Sequence, residues 1–122
     1  MATNYVQSGD VINWTNGTGS AVVSGQVVAI GQVVGVALVA IANGASGTVG
    51  LRGVYTVPKV TTAVIAAGES LLWDVSAAKF DAKAATPATG DISGPPAMAF
   101  EAAGNGVTSF KVMLTGVPGT KT

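Results

Sequence analysis

The sequence predicts an all-β fold, a small single-domain β-barrel or β-sandwich-like structure with Gly-rich hairpins, and three observations lead there. Segments rich in Val, Ile, Thr and aromatic residues recur at strand length, and such side chains suit a pleated, half-buried surface. Glycines at positions 9, 25, 31, 47, 50, 53 and 68 interrupt the chain before a helical period can build. Asn-Gly occurs at Asn16-Gly17, Asn43-Gly44 and Asn105-Gly106, and this dipeptide supplies the positive φ angles of a type I′ turn. At least two of these sites are expected to be hairpins.

Strands are expected over residues 5–7, 11–14, 21–23, 26–30, 33–39, 48–57, 97–101 and 107–114, with Pro58 closing the segment before it. The stretch VVAIGQVVGVALVAIA, residues 27–42, is apolar enough to suggest a membrane helix. It is shorter than the ~20 residues a span needs and carries Gly31, Gln32 and Gly35, so buried strands are the better reading. Around it, GQVVAI (residues 25–30) runs into GQVVGV (residues 31–36), a repeat of two copies, which is too few for a solenoid. IANGAS (41–46) and IAAGES (65–70) read as recurring turn chemistry, with an ancient duplication as the alternative.

The clearest hairpin is LLWDVSAAKFDA, residues 71–82. A turn at Ser76-Ala77 sets Val75 against Ala78, Asp74 against Lys79 and Trp73 against Phe80. That register puts an opposite-charge pair on one face and an aromatic pair on the other, each worth about 0.2–1 kcal/mol, and a slip of one residue destroys both. Residues 61–67 read as a short helical turn, and AKAATPATGDISGPP, residues 82–96, as an exposed loop. One domain is expected over residues 1–122, with the polar residues 1–9 as an N-terminal arm.

Charged residues are 10% of the chain, against about 25% in an average soluble domain, and the net charge is zero. Hydrophobic residues reach 48%, which excludes a disordered chain. Neutral, weakly charged surfaces associate, so much of this surface is expected to meet protein rather than water. Without cysteine there are no disulfides, thiolate metal sites or cysteine nucleophiles. Without histidine there is no imidazole acid–base chemistry and no Ser-His-Asp triad. The basic residues Arg52, Lys59, Lys79, Lys83, Lys111 and Lys121 are scattered and form no stripe for phosphates. The start MATNYVQSGD has no basic segment followed by an apolar one, so no secretory signal is read there.

Asp74 and Asp81 are candidates for a pair of glycosidic acids, but the hairpin register instead makes Asp74 a cross-strand partner of Lys79 and places Asp81 near a strand end. Glu69 and Asp91 read as solvated. The sequence Pro118-Gly119-Thr120-Lys121-Thr122 falls short of a phosphate-binding loop, because Thr120 separates the glycine from the lysine. Trp73 belongs to the hairpin and reads as core. Trp14 lies in the polar stretch NWTNGTG, where exposure is plausible and where Trp is a favoured contact residue.

Between residues 21 and 114 the segments AVVSGQVVAIGQVVGVAL, IANGASGTVGLRGVYTVPK, IAAGESLLWDVSAAKFDA and AFEAAGNGVTSFKVML follow in order. With its Ser-Gly-Gln, Gly-Val-Tyr-x-x-Pro-Lys and Gly-x-x-x-x-Trp-Asp motifs and a final strand, the chain resembles the tailed-phage capsid cement, or head decoration, proteins. The resemblance implies a virion protein, made in the bacterial host cytoplasm, that binds the outside of an icosahedral head and stabilises contacts between major capsid proteins. It implies a homo-oligomer, dimer or trimer, with no catalytic residue; from the scattered basic residues and the short apolar run, no nucleic-acid or membrane partner is expected, nor any cofactor. Tyr5 and Trp14 are the candidate capsid or subunit contacts. The alternative is another non-catalytic β-barrel module, a virion component or an adhesin, and the missing export signal speaks against the adhesin.

Overall fold

The structure, a computed structural model, describes residues 3, 4 and 6–122. The strands are β1 (Val11–Thr15), β2 (Val27–Ile30), β3 (Val33–Ala37), β4 (Ser46–Gly50), β5 (Arg52–Pro58), β6 (Ser70–Asp74), β7 (Lys79–Asp81), β8 (Ile92–Ala99), β9 (Ser109–Thr115) and β10 (Thr120–Lys121). No helix occurs among the described residues. One sheet has the order β1-β4-β3-β2 and the other β5-β9-β8-β6-β7, with β10 added to β8. The all-β expectation holds, in its sandwich-like form. A parallel bridge from Lys59 to Phe80 brings β7 back toward the end of β5 without closing a barrel.

The single strand expected over residues 48–57 is two strands in different sheets, separated at Leu51. Gly53, with φ 117°, lets the chain turn this corner, since that region is closed to most side chains. Residues 27–42 contain no helix, and the tandem GQVV copies supply the two arms of one hairpin. Val27 opposes Val36 and Ile30 opposes Val33 around a two-residue turn at Gly31-Gln32. Because side chains alternate, Val27, Val34 and Val36 face the second sheet and meet Leu71, Trp73, Phe80 and Phe110 in the main core. Val28, Ala37 and Val49 point the other way, into a smaller cluster with Val22 and Ile41.

The β6–β7 hairpin has the expected register, with Trp73 opposite Phe80 and Asp74 opposite Lys79. The aromatic pair is edge-on, its ring centroids 4.8 Å apart. The charge pair is not made. Asp74 Oδ1 instead accepts the Ser76 hydroxyl at 2.7 Å, the Ser76 N–H at 3.0 Å and the Ala77 N–H at 3.2 Å, so local turn bonds displace the cross-strand one.

Other expectations are corrected. Two of the three Asn-Gly sites, Asn43-Gly44 and Asn105-Gly106, do lie in the connections of antiparallel neighbours, β3–β4 and β8–β9, but none forms a type I′ turn, which needs positive φ at both central residues, and no described asparagine has it. Asn43-Gly44 and Asn105-Gly106 sit in turns closed by Ala45 N–H to Ala42 O at 2.9 Å and Val107 N–H to Gly104 O at 3.2 Å, with positive φ at the glycine alone. That is type II geometry. Residues 61–67 are not helical: Ile65 is extended and bridged to Ala103, as its β-branched neighbours favour. The loop expected over 82–96 ends at Asp91, and β8 continues through Pro95 and Pro96. There the pairing with β6 is interrupted by a register shift at Ser70/Leu71, so no ladder donor is demanded of the prolines.

The first four-stranded sheet recurs within the second. Its order β1-β4-β3-β2 maps onto β5-β9-β8-β6, and the registers coincide up to the shift at Ser70/Leu71 in the β6–β8 pair. Thr15 opposes Ser46 as Pro58 opposes Ser109. Ala37 opposes Val49 as Ala99 opposes Val112. Val27 opposes Val36 as Ser70 opposes Met98. The connections repeat as well: the isolated bridge of Val22 to Ile41 matches that of Ile65 to Ala103. Three residues beyond each of these four stands a glycine with positive φ, Gly25 at 89°, Gly44 at 82°, Gly68 at 84° and Gly106 at 94°. IANGAS and IAAGES are two of four copies of one turn, but they fall at different places in the repeat. IAAGES corresponds to residues 22–27, and IANGAS to the turn that begins at Ala103.

Candidate docking surface

The repeat pairs two buried polar side chains that composition did not single out. Asn16 and Lys59 each follow the last residue of the first strand of their unit, and each has no exposed surface. Asn16 Nδ2 donates to the Ser20 carbonyl at 2.7 Å and the Ile41 carbonyl at 3.0 Å, while its Oδ1 accepts the Thr18 N–H at 3.0 Å and hydroxyl at 2.7 Å. Lys59 Nζ donates to the carbonyls of Val60 at 2.8 Å, Val107 at 3.3 Å and Thr61 at 3.4 Å. Both knit the loops at one end of their sheet, and no buried side-chain polar atom among the described residues lacks a partner. In the sequence, Asn16 read as a turn residue and Lys59 as one scattered charge.

The candidate acids serve the fold locally. Asp81 Oδ1 accepts the Ala82 N–H at 2.7 Å. Glu69 accepts the Ala66 N–H at 3.3 Å and the Lys83 N–H at 2.9 Å. Asp91 is buried, against the expectation of a solvated side chain. Its two oxygens accept the N–H groups of Val75 at 3.1 Å and Ala88 at 2.9 Å, closing the loop before β8. The Ser76 hydroxyl bond, then the turn amides, hold the Asp74 carboxyl below its ordinary value of 3.8. No group of three or more metal-ligating side chains occurs among the described residues. Thr120 and Lys121 form β10, a short strand on β8.

Of the two candidate contacts, Tyr5 lies outside the described residues. Trp14 sits on β1 opposite Gly47 and is half-buried, resting with Ile12 and Ile30 on the smaller apolar cluster. The counterparts of that cluster in the second unit all belong to the main core: Leu71 for Val28, Val112 for Val49, Ala103 for Ile41. The second unit thus has this face covered by the first, whereas the same face of the first unit is bounded by half-buried side chains. Further apolar groups stand in solvent, among them Val23 at 63%, Leu38 at 41% and Phe100 at 52% exposure. Leu38 and Phe100 are counterparts, each directly following the strand that precedes the second bridge of its unit.

A weakly charged two-sheet sandwich with large apolar side chains at its surface defines a small all-β module. The sequence profile of the phage cement proteins matches residues 6–114, and the chain belongs to that family. The match includes β1 and Trp14, which lie before the segments that carried the sequence resemblance. No curated protein matches the chain.

Proposed function

We propose that this protein binds the outer surface of an icosahedral phage head and stabilises contacts between the major capsid proteins beneath it. Membership of the phage cement family over residues 6–114 carries this reading. Physically, a ligand that binds only the assembled shell stabilises it by mass action, and a chain with only 10% charged residues loses little on desolvation against another protein. The protein acts as a homo-oligomer, dimer or trimer, through contact alone, with neither cofactor nor nucleic-acid or membrane partner. It is made in the host cytoplasm and ends on the capsid exterior. Residues 1–122 act as one domain whose first nine residues are an arm toward the capsid or a neighbouring subunit, and Tyr5 and Trp14 contribute contacts.

The test is co-sedimentation of purified protein with undecorated heads of the phage of origin, followed by heating with and without it. Binding accompanied by a higher shell disruption temperature is expected. Absence of binding, or binding that leaves the shell equally heat-labile, rejects the reading.

A further inference from the structure

The second repeat unit contains a piece that the first one lacks. Strand β6 has β8 on one side and β7 on the other. Phe80 of β7 lies opposite Trp73, and its carbonyl accepts the Val60 N–H at 2.9 Å. In the first unit the counterpart of β6 is β2, that of Trp73 is Ile30 and that of Val60 is Gly17, but β2 and β3 are joined by only Gly31 and Gln32. No described strand pairs with the far side of β2.

That edge is ready to pair. In a two-residue hairpin the closing pair, Ile30 and Val33, exchanges hydrogen bonds, so by alternation the N–H and C=O groups of Val27 and Ala29 point outward. Ala29 is the counterpart of Leu72, which faces Asp81 of β7. The edge reads Val-Val-Ala-Ile, without the charge, proline or bulge that commonly blocks edge pairing. The outer strand β5, in contrast, carries Arg52 at one end and Pro58 at the other. Beside the first residue of β2 lies a groove of about 250 Å³ lined by Gly25, Gln26, Val27, Pro58, Trp73 and Ala78, with no charged side chain.

We propose that the β2 edge and its groove accept an extended, uncharged segment of the capsid shell protein. That segment adds as a strand in the place β7 holds in the second unit and seats an apolar side chain in the groove. The inference rests on the head-binding reading above. An uncharged segment fits because a charge entering this groove would be desolvated with no partner. The place to be filled is that of β7, one strand of three residues, which a single extended segment of the shell protein matches.

The chain contains no cysteine, so Gln26→Cys in the groove gives a unique site for a benzophenone crosslinker, with Val117→Cys, at a position 47% exposed, as control. Labelled protein is bound to undecorated heads, irradiated and mapped by peptide mass spectrometry, and hydrogen exchange of the unmodified chain is compared on and off heads. The expected result is a shell-protein adduct at position 26 in clear excess over position 117, with the amides of Val27 and Ala29 exchanging roughly ten-fold more slowly on heads. Adducts to a second copy of this chain overturn the proposal while head binding stands. So does sedimentation with neither adduct nor protection. Failure of the unmodified chain to sediment overturns head binding and this proposal together. Should Gln26→Cys not fold, Gln32→Cys at the other end of the same edge gives the same readout.

Discussion

Trp14 and Val57 occupy the same place in the two repeat units, yet Val57 is 1% exposed and Trp14 is only half-buried. The strands, registers and turns around them agree, so the difference comes from what lies on top. In the second unit the β2–β3 hairpin of the first packs over the shared face, and β7 with Phe80 closes the flank. The first unit has neither, and its smaller cluster is finished by half-buried Ile12, Trp14 and Ile30. One architecture therefore serves as core in one copy and as surface in the other. The covered copy supplies stability, and the open copy keeps apolar side chains and a sheet edge available.

Substitutions at equivalent positions sharpen this contrast. The largest effect is expected for Phe80→Ala, which empties the middle of the core and removes the flank of the second unit. About 4 kcal/mol should be lost in urea unfolding, and a loss below ~1 kcal/mol would show that β7 is not what closes the unit. Next come the paired buried polar groups. Lys59→Met keeps the apolar stem but strips three carbonyls of their donor, for an expected loss of about 3 kcal/mol, and Asn16→Ala should cost about 2 kcal/mol. A reversed order would mean that the first unit depends on its loop knot more than the second. Trp14→Ala should cost less than a core aromatic, about 1–2 kcal/mol, because half of the side chain already meets water. On the head-binding reading it should weaken capsid binding more than that stability loss explains.

The smallest effect concerns the Asp74 turn. Its carboxyl is held below 3.8 by the Ser76 hydroxyl and the turn amides, so the charged form is favoured in the folded state. The contribution is fully present above pH 3.8 and is lost as pH falls through the lowered folded value. Stability of the wild type and of Asp74→Ala, measured against pH, should therefore converge in acid. Two curves that stay parallel from neutral pH into acid would show that the charged form contributes nothing.

The strands legible in the sequence were those set by alternation and by a matching pair. Trp73 with Phe80 and Asp74 with Lys79 gave the β6–β7 register because a slip would have broken both pairs. Turn type was not legible: Asn-Gly is compatible with both I′ and II turns, and tertiary pairing of residues far apart chose between them. The repeat was hidden for a related reason. Its conserved feature is a backbone turn with one left-handed glycine, while the side chains around it differ, as Gln26 differs from Glu69 and Asn16 from Lys59. Asp91 reads as solvated and Lys59 as one scattered charge, because a charged side chain shows no burial until the carbonyls or amides that surround it are assembled. For the docking surface, the sequence offered Trp14 but not the edge beside Val27. An edge is defined by the absence of a neighbour, which only topology reveals.

The two-residue turn at Gly31-Gln32 also bears on how the molecule reaches this state. Joining β2 to β3 closes a minimal loop, whereas their counterparts β6 and β8 are separated by residues 75–91, and the entropy of closure rises with loop length. The β2–β3 hairpin is therefore expected to form early, with conservative substitutions such as Val28→Ala or Val34→Ala slowing refolding more than they hasten unfolding. Because its Val27 and Val36 face the second sheet, the early hairpin would offer a template on which the slower unit condenses. During that interval the apolar face of the hairpin, with Val27, Val34 and Val36, stands uncovered, so the rate at which β6–β9 arrive sets how long it is open to association with another newly made molecule.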